Sequence, residues 1–261
     1  MSVELVVAGI SGAVALAGVA LSGRATRKQA LLSAELALGS ARRARSEQRQ
    51  DVMSRYRDPL LWAAFDLQSR LENIAVREVG FLSTHYACGS PHQREYARRN
   101  TLFVLAEYLG WVEIIRLRVR FLDLGDREDN RRIVALLFEV GRVLSSDGYD
   151  DARFCLFRGE QRAIGELMVA DGGESCIGYA EFCLRLDTDS AFAAWFDRPS
   201  GDIEESATRT APAGRLVDLR NALLELIQFL DPDGVRFPAD ERHQVPGHRM
   251  GPDRADDAGR R

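Results

Sequence analysis

The chain has 261 residues, 46% of them apolar and 28% charged, the proportions of an ordinary globular chain. Its net charge of −4 is unevenly spread: residues 1–23 carry −1, residues 24–57 carry +6 and residues 58–261 carry −9. An acidic body lacks the basic face that phosphate neutralisation requires, so no nucleic-acid partner is expected. Lys28 is the only lysine among 35 basic residues. With the Ala and Gly content, this arginine bias points to a GC-rich bacterial genome.

The first element is the uncharged run LVVAGISGAVALAGVAL, from Leu5 to Leu21. Seventeen helical residues rise about 25 Å, close to the roughly 30 Å of bilayer hydrocarbon. Residues 1–23 are therefore expected to form a transmembrane anchor through Leu5, Gly9, Ala13, Leu16 and Leu21. Small residues four apart, such as Gly9 and Ala13, let helices approach closely in lipid and suit homo-oligomerisation. Only Glu4 precedes the run, whereas Arg24, Arg27 and Lys28 follow it. Positive residues stay inside, so the N-terminus is expected outside the inner membrane and the body in the cytoplasm. Arg24, Arg27 and Lys28 would then lie at anionic headgroups.

Residues 24–57 contain no proline and one glycine, Gly39, and read as a long basic juxtamembrane helix. Asp58-Pro59 suits a helix start, with Asp58 as N-cap. Leu60, Leu61, Ala64, Leu67, Leu71, Ile74 and Ala75 then mark one buried face. A second helix is expected from about Gln93 to Leu122, its stripe running through Leu102, Leu105, Ala106, Leu109, Val112, Ile115 and Val119. Gly110 inside that helix is costly unless another backbone packs against it. A third helix is expected from Asn130 to Leu144, with Ile133, Leu136, Leu137, Val140 and Leu144 inward. Residues 160–169 read as a helix with Ile164, Leu167 and Met168 inward, and Asp171-Gly172-Gly173 as a turn. Residues 176–186 fit strand or helix, and spacing favours helix. Asp189 or Ser190 can cap a short helix carrying Phe192, Trp195 and Phe196. Residues 199–213 look like a polar loop, and Leu216 to Leu230 is a strong last helix. Beyond Phe237 apolar residues almost vanish, and residues 233–261 are expected to be a disordered tail.

The most unusual segment is RGEQRAIGE, residues 158–166. Arg158, Gln161, Arg162 and Glu166 could form a polar pocket for a small anion. The plainer reading is capping by Glu160 and a surface pair between Arg162 and Glu166. His85, Cys88 and His92 lack the matched second pair a zinc site needs, so no metal is expected. Asp66, Glu72, Glu107 and Glu113 carry no Glu-x-x-His steps and read as solvated helix charges. Gly172-Gly173 lacks the lysine of a phosphate loop, no dinucleotide fingerprint follows a strand, and the body has no GxSxG. No cofactor and no catalytic residue are therefore expected. The four cysteines form no CxxC pair and are expected as thiols, with Cys183 a small core residue.

RYRDPL, YLGWVEIIR, FLDLG, FRGEQRAIGELM, GYAEF and FLDP, spread over residues 55–232, resemble a group of membrane-anchored helical proteins of high-GC bacteria. The resemblance implies no reaction. The expected fold is all-α: an anchor, a basic stalk at 24–57, and a cytoplasmic bundle or orthogonal array of about six helices over 58–232. The leading function is a membrane-anchored interaction or scaffold module with a protein partner or a second copy. A tethered sensor for a small anionic ligand is the alternative, and a hydrolase-type enzyme comes third.

Overall fold

The computed structural model describes residues 33, 36–40, 55–75, 80–118, 127–208 and 214–237. The chain divides into two units, Met1–Val52 and Met53–Arg261. In the first, Ser33 and residues 36–40 are helical, with Leu36 and Leu38 exposed. The expected anchor (Leu5, Gly9, Ala13, Leu16, Leu21) and the expected headgroup contacts (Arg24, Arg27, Lys28) lie outside the described residues. Among the described residues no helix is long and apolar enough to cross a membrane.

The second unit is all-helical among the described residues, apart from one antiparallel bridge between Val169 and Cys176. Helix α1 covers 55–75 and already includes Arg55 to Arg57, so Asp58-Pro59 lies inside it rather than at its start. Its face of Leu60, Leu61, Ala64, Leu67 and Leu71 is buried, as the three-and-four spacing requires. A π-helical turn, Ser83–Ala87, precedes α2 (Pro91–Arg118). Then come α3 (Arg127–Ser145), α4 (Arg158–Met168), α5 (Tyr179–Thr188) and the one-turn α6 (Ser190–Ala193). The 3₁₀ turn Ala194–Phe196 leads into α7 (Asp197–Thr208), and α8 (Gly214–Leu230) follows.

Helix α8 is the centre of the core. Leu216, Leu219, Leu223, Leu226, Ile227 and Leu230 are all buried, and each such side chain contributes roughly 1.5–3 kcal/mol by leaving water. Helix α1 runs antiparallel to α8. Arg57 Nε donates to the Leu230 carbonyl at 2.7 Å near one end, and Glu72 pairs with the buried Arg220 near the other. Helix α3 packs on α8, and α2 packs on α4. Phe182 of α5 meets Phe103 of α2, Phe192 of α6 and Phe196 edge-on, with ring centres 5.1–5.6 Å apart.

The α2–α4 crossing explains Gly110. A Cβ there would lie 2.6 Å from Cys176 Sγ and 2.7 Å from Met168 Cβ. Gly165 on α4 is the reciprocal contact: its Cβ would lie 2.7 Å from the Leu109 carbonyl oxygen and 3.0 Å from Glu113 Cβ. Gly165 lets the α2 backbone come into contact with α4, and Gly110 makes room for the side chains of Met168 and Cys176.

Two further expectations need correction. Residues 197–208 form helix α7, not loop. Its inward face consists only of Pro199, Ile203 and Ala207, too few apolar residues to show a period among Asp202, Glu204 and Glu205. Pro199 sits in the first turn, where its missing N–H costs nothing. Residues 233–237, placed by the expectation in a disordered tail, are packed on the second unit, and the remainder of that expected tail, 238–261, lies outside the described residues. The buried Asp231 carboxylate accepts the N–H groups of Val235, Arg236 and Phe237 at 2.9–3.2 Å. Phe237 then stacks on Phe65, with ring centres 3.8 Å apart, and meets Trp62 edge-on at 4.6 Å. A composition rich in Asp, Pro and Gly hides a tight turn that delivers one aromatic anchor.

Gly165→Ala is expected to destabilise the fold by about 1–3 kcal/mol, because overpacking against a backbone carbonyl outweighs the better helix propensity of Ala. Gly159→Ala, with nothing within 4 Å of its Cβ, is expected to be neutral or stabilising by up to about 1 kcal/mol. Urea unfolding of the two variants checks the pair, and equal effects would contradict the crossing.

Candidate functional site

The end of α3 gathers three of the buried polar side chains of the second unit, Arg153, Gln161 and Arg215. The last carbonyls of a helix lack intrahelical partners and must find donors elsewhere. Here one side chain serves several of them, beside the Leu156 N–H, which reaches the Leu144 carbonyl at 2.9 Å. Arg215, only 1% exposed, donates from Nη1 to the carbonyls of Val143 (2.7 Å), Leu144 (3.2 Å) and Ser146 (2.8 Å), and from Nε to that of Arg153 (3.2 Å). Its guanidinium lies over the Tyr149 ring at 4.5 Å. Tyr149 in turn donates its hydroxyl to Asp218 at 2.8 Å. Burial holds the Arg215 guanidinium below its ordinary pKa, an effect offset in part by Cys155 and Tyr149.

The same junction holds a strained residue. Phe154 is buried with φ of 57°, a left-handed conformation uncommon for a bulky side chain. Its N–H donates to Asp202 Oδ2 of α7 at 2.8 Å, while Arg215 holds the preceding carbonyl. Arg153 pairs with Asp151 and donates to Ser206 of α7 at 3.0 Å. The bend so fixed sets the direction in which Phe157 and α4 leave.

Against this frame, the four residues singled out in sequence do different things. Gln161 is buried and structural: its amide donates to the carbonyls of Gly141 (2.9 Å) and Leu156 (2.7 Å). Arg162 and Glu166 form an exposed i,i+4 pair at 2.9 Å, worth little in water. Glu160 accepts the Phe157 N–H at 2.7 Å, as expected of a first-turn carboxylate. Arg158 lies over the Phe138 ring at 4.5 Å, donates Nη2 to the Phe138 carbonyl at 3.0 Å and packs Nη1 against Gly141, beside Gln161 Oε1. Arg158 and Gln161 thus meet at Gly141 while Arg162 and Glu166 stand apart as a surface pair, so the four share no pocket and an anion site at Arg158 and Arg162 has no support in the geometry.

What Arg158 does build is a surface. Phe138 is 60% exposed, Phe157 53% and Val134 56%. Arg198 lies over the Phe157 ring at 6.0 Å and reaches Glu160 at 3.7 Å. Trp195, 44% exposed, lies one helical turn before Arg198. Exposed aromatics interleaved with arginines are the composition of protein–protein contact cores. Periodicity in α3 shows which residues face inward; that Val134 and Phe138 remain uncovered is visible only once α4 is placed.

A polar cavity of about 260 Å³ lies between α3 and α8, lined by Glu139, Arg142, Tyr149, Asp218, Asn221 and Glu225 among others. Arg142 is held by Glu139 at 2.8 and 2.5 Å. Three carboxylates against one guanidinium make this cavity unsuited to an anion. Among the described residues no group of His, Cys, Asp and Glu is arranged to hold a metal ion. His85, Cys88 and His92 are a case in point, with His85 packed on Phe81 (ring centres 4.9 Å) and Cys88 exposed.

The helical carboxylates are less uniform than their sequence suggests. Glu113 is buried and paired with Arg116 at 2.7 Å, and Glu72 pairs with Arg220. Glu107 on α2 is raised to about 7 by burial, with Asp66 of α1 adding repulsion. Asp66 is itself raised by burial, against the pull of Arg70. Burial also pushes the Cys176 thiol up to about 12, leaving it an inert packing group whose Sγ lies 3.7 Å from the Glu107 carbonyl. Compared with family models, curated proteins and solved structures, the chain matches none.

Glu107 is raised above its unfolded value, so its stabilising contribution is complete below about pH 4.5 and is lost as pH rises through about 7. Glu107→Gln is expected to flatten the pH dependence of stability over that window. At pH 8 it should stabilise the fold by on the order of 1 kcal/mol after solvent screening. Urea unfolding at pH 5 and pH 8 tests this; an unchanged difference between the two would exclude Glu107 as the titrating group.

Proposed function

We propose that this chain is a membrane-anchored interaction module, with its N-terminal run in the inner membrane, its N-terminus outside and its helical body in the cytoplasm. The observation that carries the reading is the surface of Val134, Phe138, Phe157 and Trp195 interleaved with Arg158 and Arg198. It offers apolar anchors on rigid helices with cations beside them, the arrangement that protein recognition uses. The length and uncharged character of Leu5 to Leu21 support the anchor. The basic residues Arg24, Arg27 and Lys28 support both its orientation and contact with anionic headgroups. Self-association through Gly9 and Ala13 would multiply the binding surfaces held at one patch of membrane.

Two measurements test the proposal. Membranes from cells expressing the full chain are washed with alkaline carbonate. The full chain is expected to stay in the pellet and a chain lacking residues 1–23 to be released; release of both would contradict the anchor. A photoreactive amino acid placed at Phe138 or Phe157 in the living cell is expected to give a discrete protein adduct, and one placed at Glu181 on α5 none. Absence of an adduct at both aromatic positions would contradict the interaction surface.

A further inference from the structure

We infer that α5 is a latch that unwinds by itself. Residues 179–188 leave the helical state while the rest of the second unit stays folded, and Phe182 then vacates an aromatic cage. Burial is what makes α5 separable. Of its ten residues only Phe182 is buried, whereas ten of the seventeen in α8 are. Cys183 and Leu186 are half-buried, and Glu181, Leu184 and Asp187 face water. A helix of ten residues is too short to persist alone in water and depends on the face it packs. One buried ring is a small hold, and segments with few buried apolar contacts open at less cost than the core.

The flanks of α5 are fixed independently of it. Before it, Ile177 is buried and its N–H reaches the Met168 carbonyl at 2.8 Å, beside the bridge between Val169 and Cys176. After it, the Asp189 carboxylate accepts the N–H groups of Ala191 and Phe192 at 3.0 and 3.1 Å, and Phe192 and Phe196 are buried. Gly178 and Asp189 join α5 to these anchors through extended backbone, so no continuous helix crosses either junction. The helix spans about 15 Å, whereas the same ten residues unwound reach up to about 33 Å. The segment therefore has length to lift clear without moving either anchor.

What α5 covers keeps its shape when α5 leaves. Phe182 plugs a cage of Phe103, Phe192 and Phe196, with ring centres 5.5, 5.6 and 5.1 Å away. Phe192 and Phe196 also pack on each other at 5.1 Å, and Phe103 belongs to α2. Arg99, one turn before Phe103 on the same face of α2, is the polar half of the latch. It bonds both oxygens of Asp187 at 2.7 and 2.9 Å and the Cys183 carbonyl at 3.5 Å. Glu95 holds the same guanidinium from within α2, so the fork stays in place once Asp187 departs. Asp187 is more than half exposed, which leaves this ion pair open to screening by salt. In the closed form α5 is thus the stopper of an aromatic pocket bordered by a cation.

The test is amide hydrogen exchange of the full chain in mild detergent, read segment by segment. Amides of residues 179–188 are expected to exchange at least about a hundredfold faster than those of α8. Their exchange is expected to change little in urea below the unfolding midpoint, because local unwinding exposes little surface. Asp187→Asn and about 1 M sodium chloride are each expected to speed exchange in α5 about threefold and to leave α8 unchanged. The vacated cage is read separately with anilinonaphthalene sulfonate, an aromatic anion that suits the ring walls and the Arg99 fork. Its fluorescence is expected to rise about threefold with Asp187→Asn, in step with the exchange. Exchange in α5 as slow as in α8, a urea dependence equal to that of α8, or acceleration of both helices together by Asp187→Asn would overturn the inference. So would dye fluorescence that Asp187→Asn leaves unchanged.

Discussion

One arginine ties the second unit together. Arg215 sits at the start of α8, is almost wholly removed from water, and spends its donors on backbone carbonyls rather than on a carboxylate. A buried guanidinium left without partners would cost several kcal/mol. The end of α3 supplies what it lacks, because carbonyls at a helix C-terminus are both unpaired and at the negative end of the macrodipole. Each side solves the other's problem. Three segments meet there in consequence: the last turn of α3, the strained bend at Phe154, and the first turn of α8. Phe157, Arg158 and the whole of α4 leave from that junction, so the outward surface inherits its geometry from an interaction deep inside.

The same device recurs elsewhere. Arg57 donates to the last carbonyl of α8, Arg94 to the Tyr86 carbonyl at 3.0 Å, and Arg158 to the Phe138 carbonyl. Other arginines join helices side by side: Arg99 grips Asp187 of α5 through two bonds of 2.7 and 2.9 Å, and Arg220 grips Glu72 of α1. A planar fork can serve two or three carbonyls at once, which the single point charge of lysine does less well. The near absence of lysine reads in composition as a genomic bias. In the folded body many of the arginines carry architecture.

The elements most legible in the sequence were those whose periodicity is their cause. The inward stripes of α1, α2 and α8 fall on the residues that three-and-four spacing picks out, and Gly110 meets the close approach its position calls for. Asp189 caps α6 through the N–H groups of Ala191 and Phe192, as its place before an aromatic run suggests. Helix α7 was hidden because two buried residues and a proline make no visible period. Arg215 and Arg220 were hidden for a different reason: charge in a helix reads as solvent-facing, and only the approach of the α3 terminus and of Glu72 makes burial tolerable. Of the segment at 158–166, composition identified an unusual stretch but not its division of labour. Gln161 went to the core and Arg162 and Glu166 to a surface pair, because adjacent helical positions point a hundred degrees apart, while Arg158 in the first turn lies on the Phe138 ring of α3.

The account thus rests on a chain of support running from Arg215 through the end of α3 and the Phe154 bend to the surface at Phe138, Phe157 and Arg158. Native-state hydrogen exchange of Arg215→Lys against wild type tests that chain most directly. Lysine keeps the charge but lacks the fork. The expected result is faster amide exchange at residues 142–146 and 154–160, with protection in α5 retained. Unchanged protection at both of those segments would contradict the clasp and with it the structural basis of the surface.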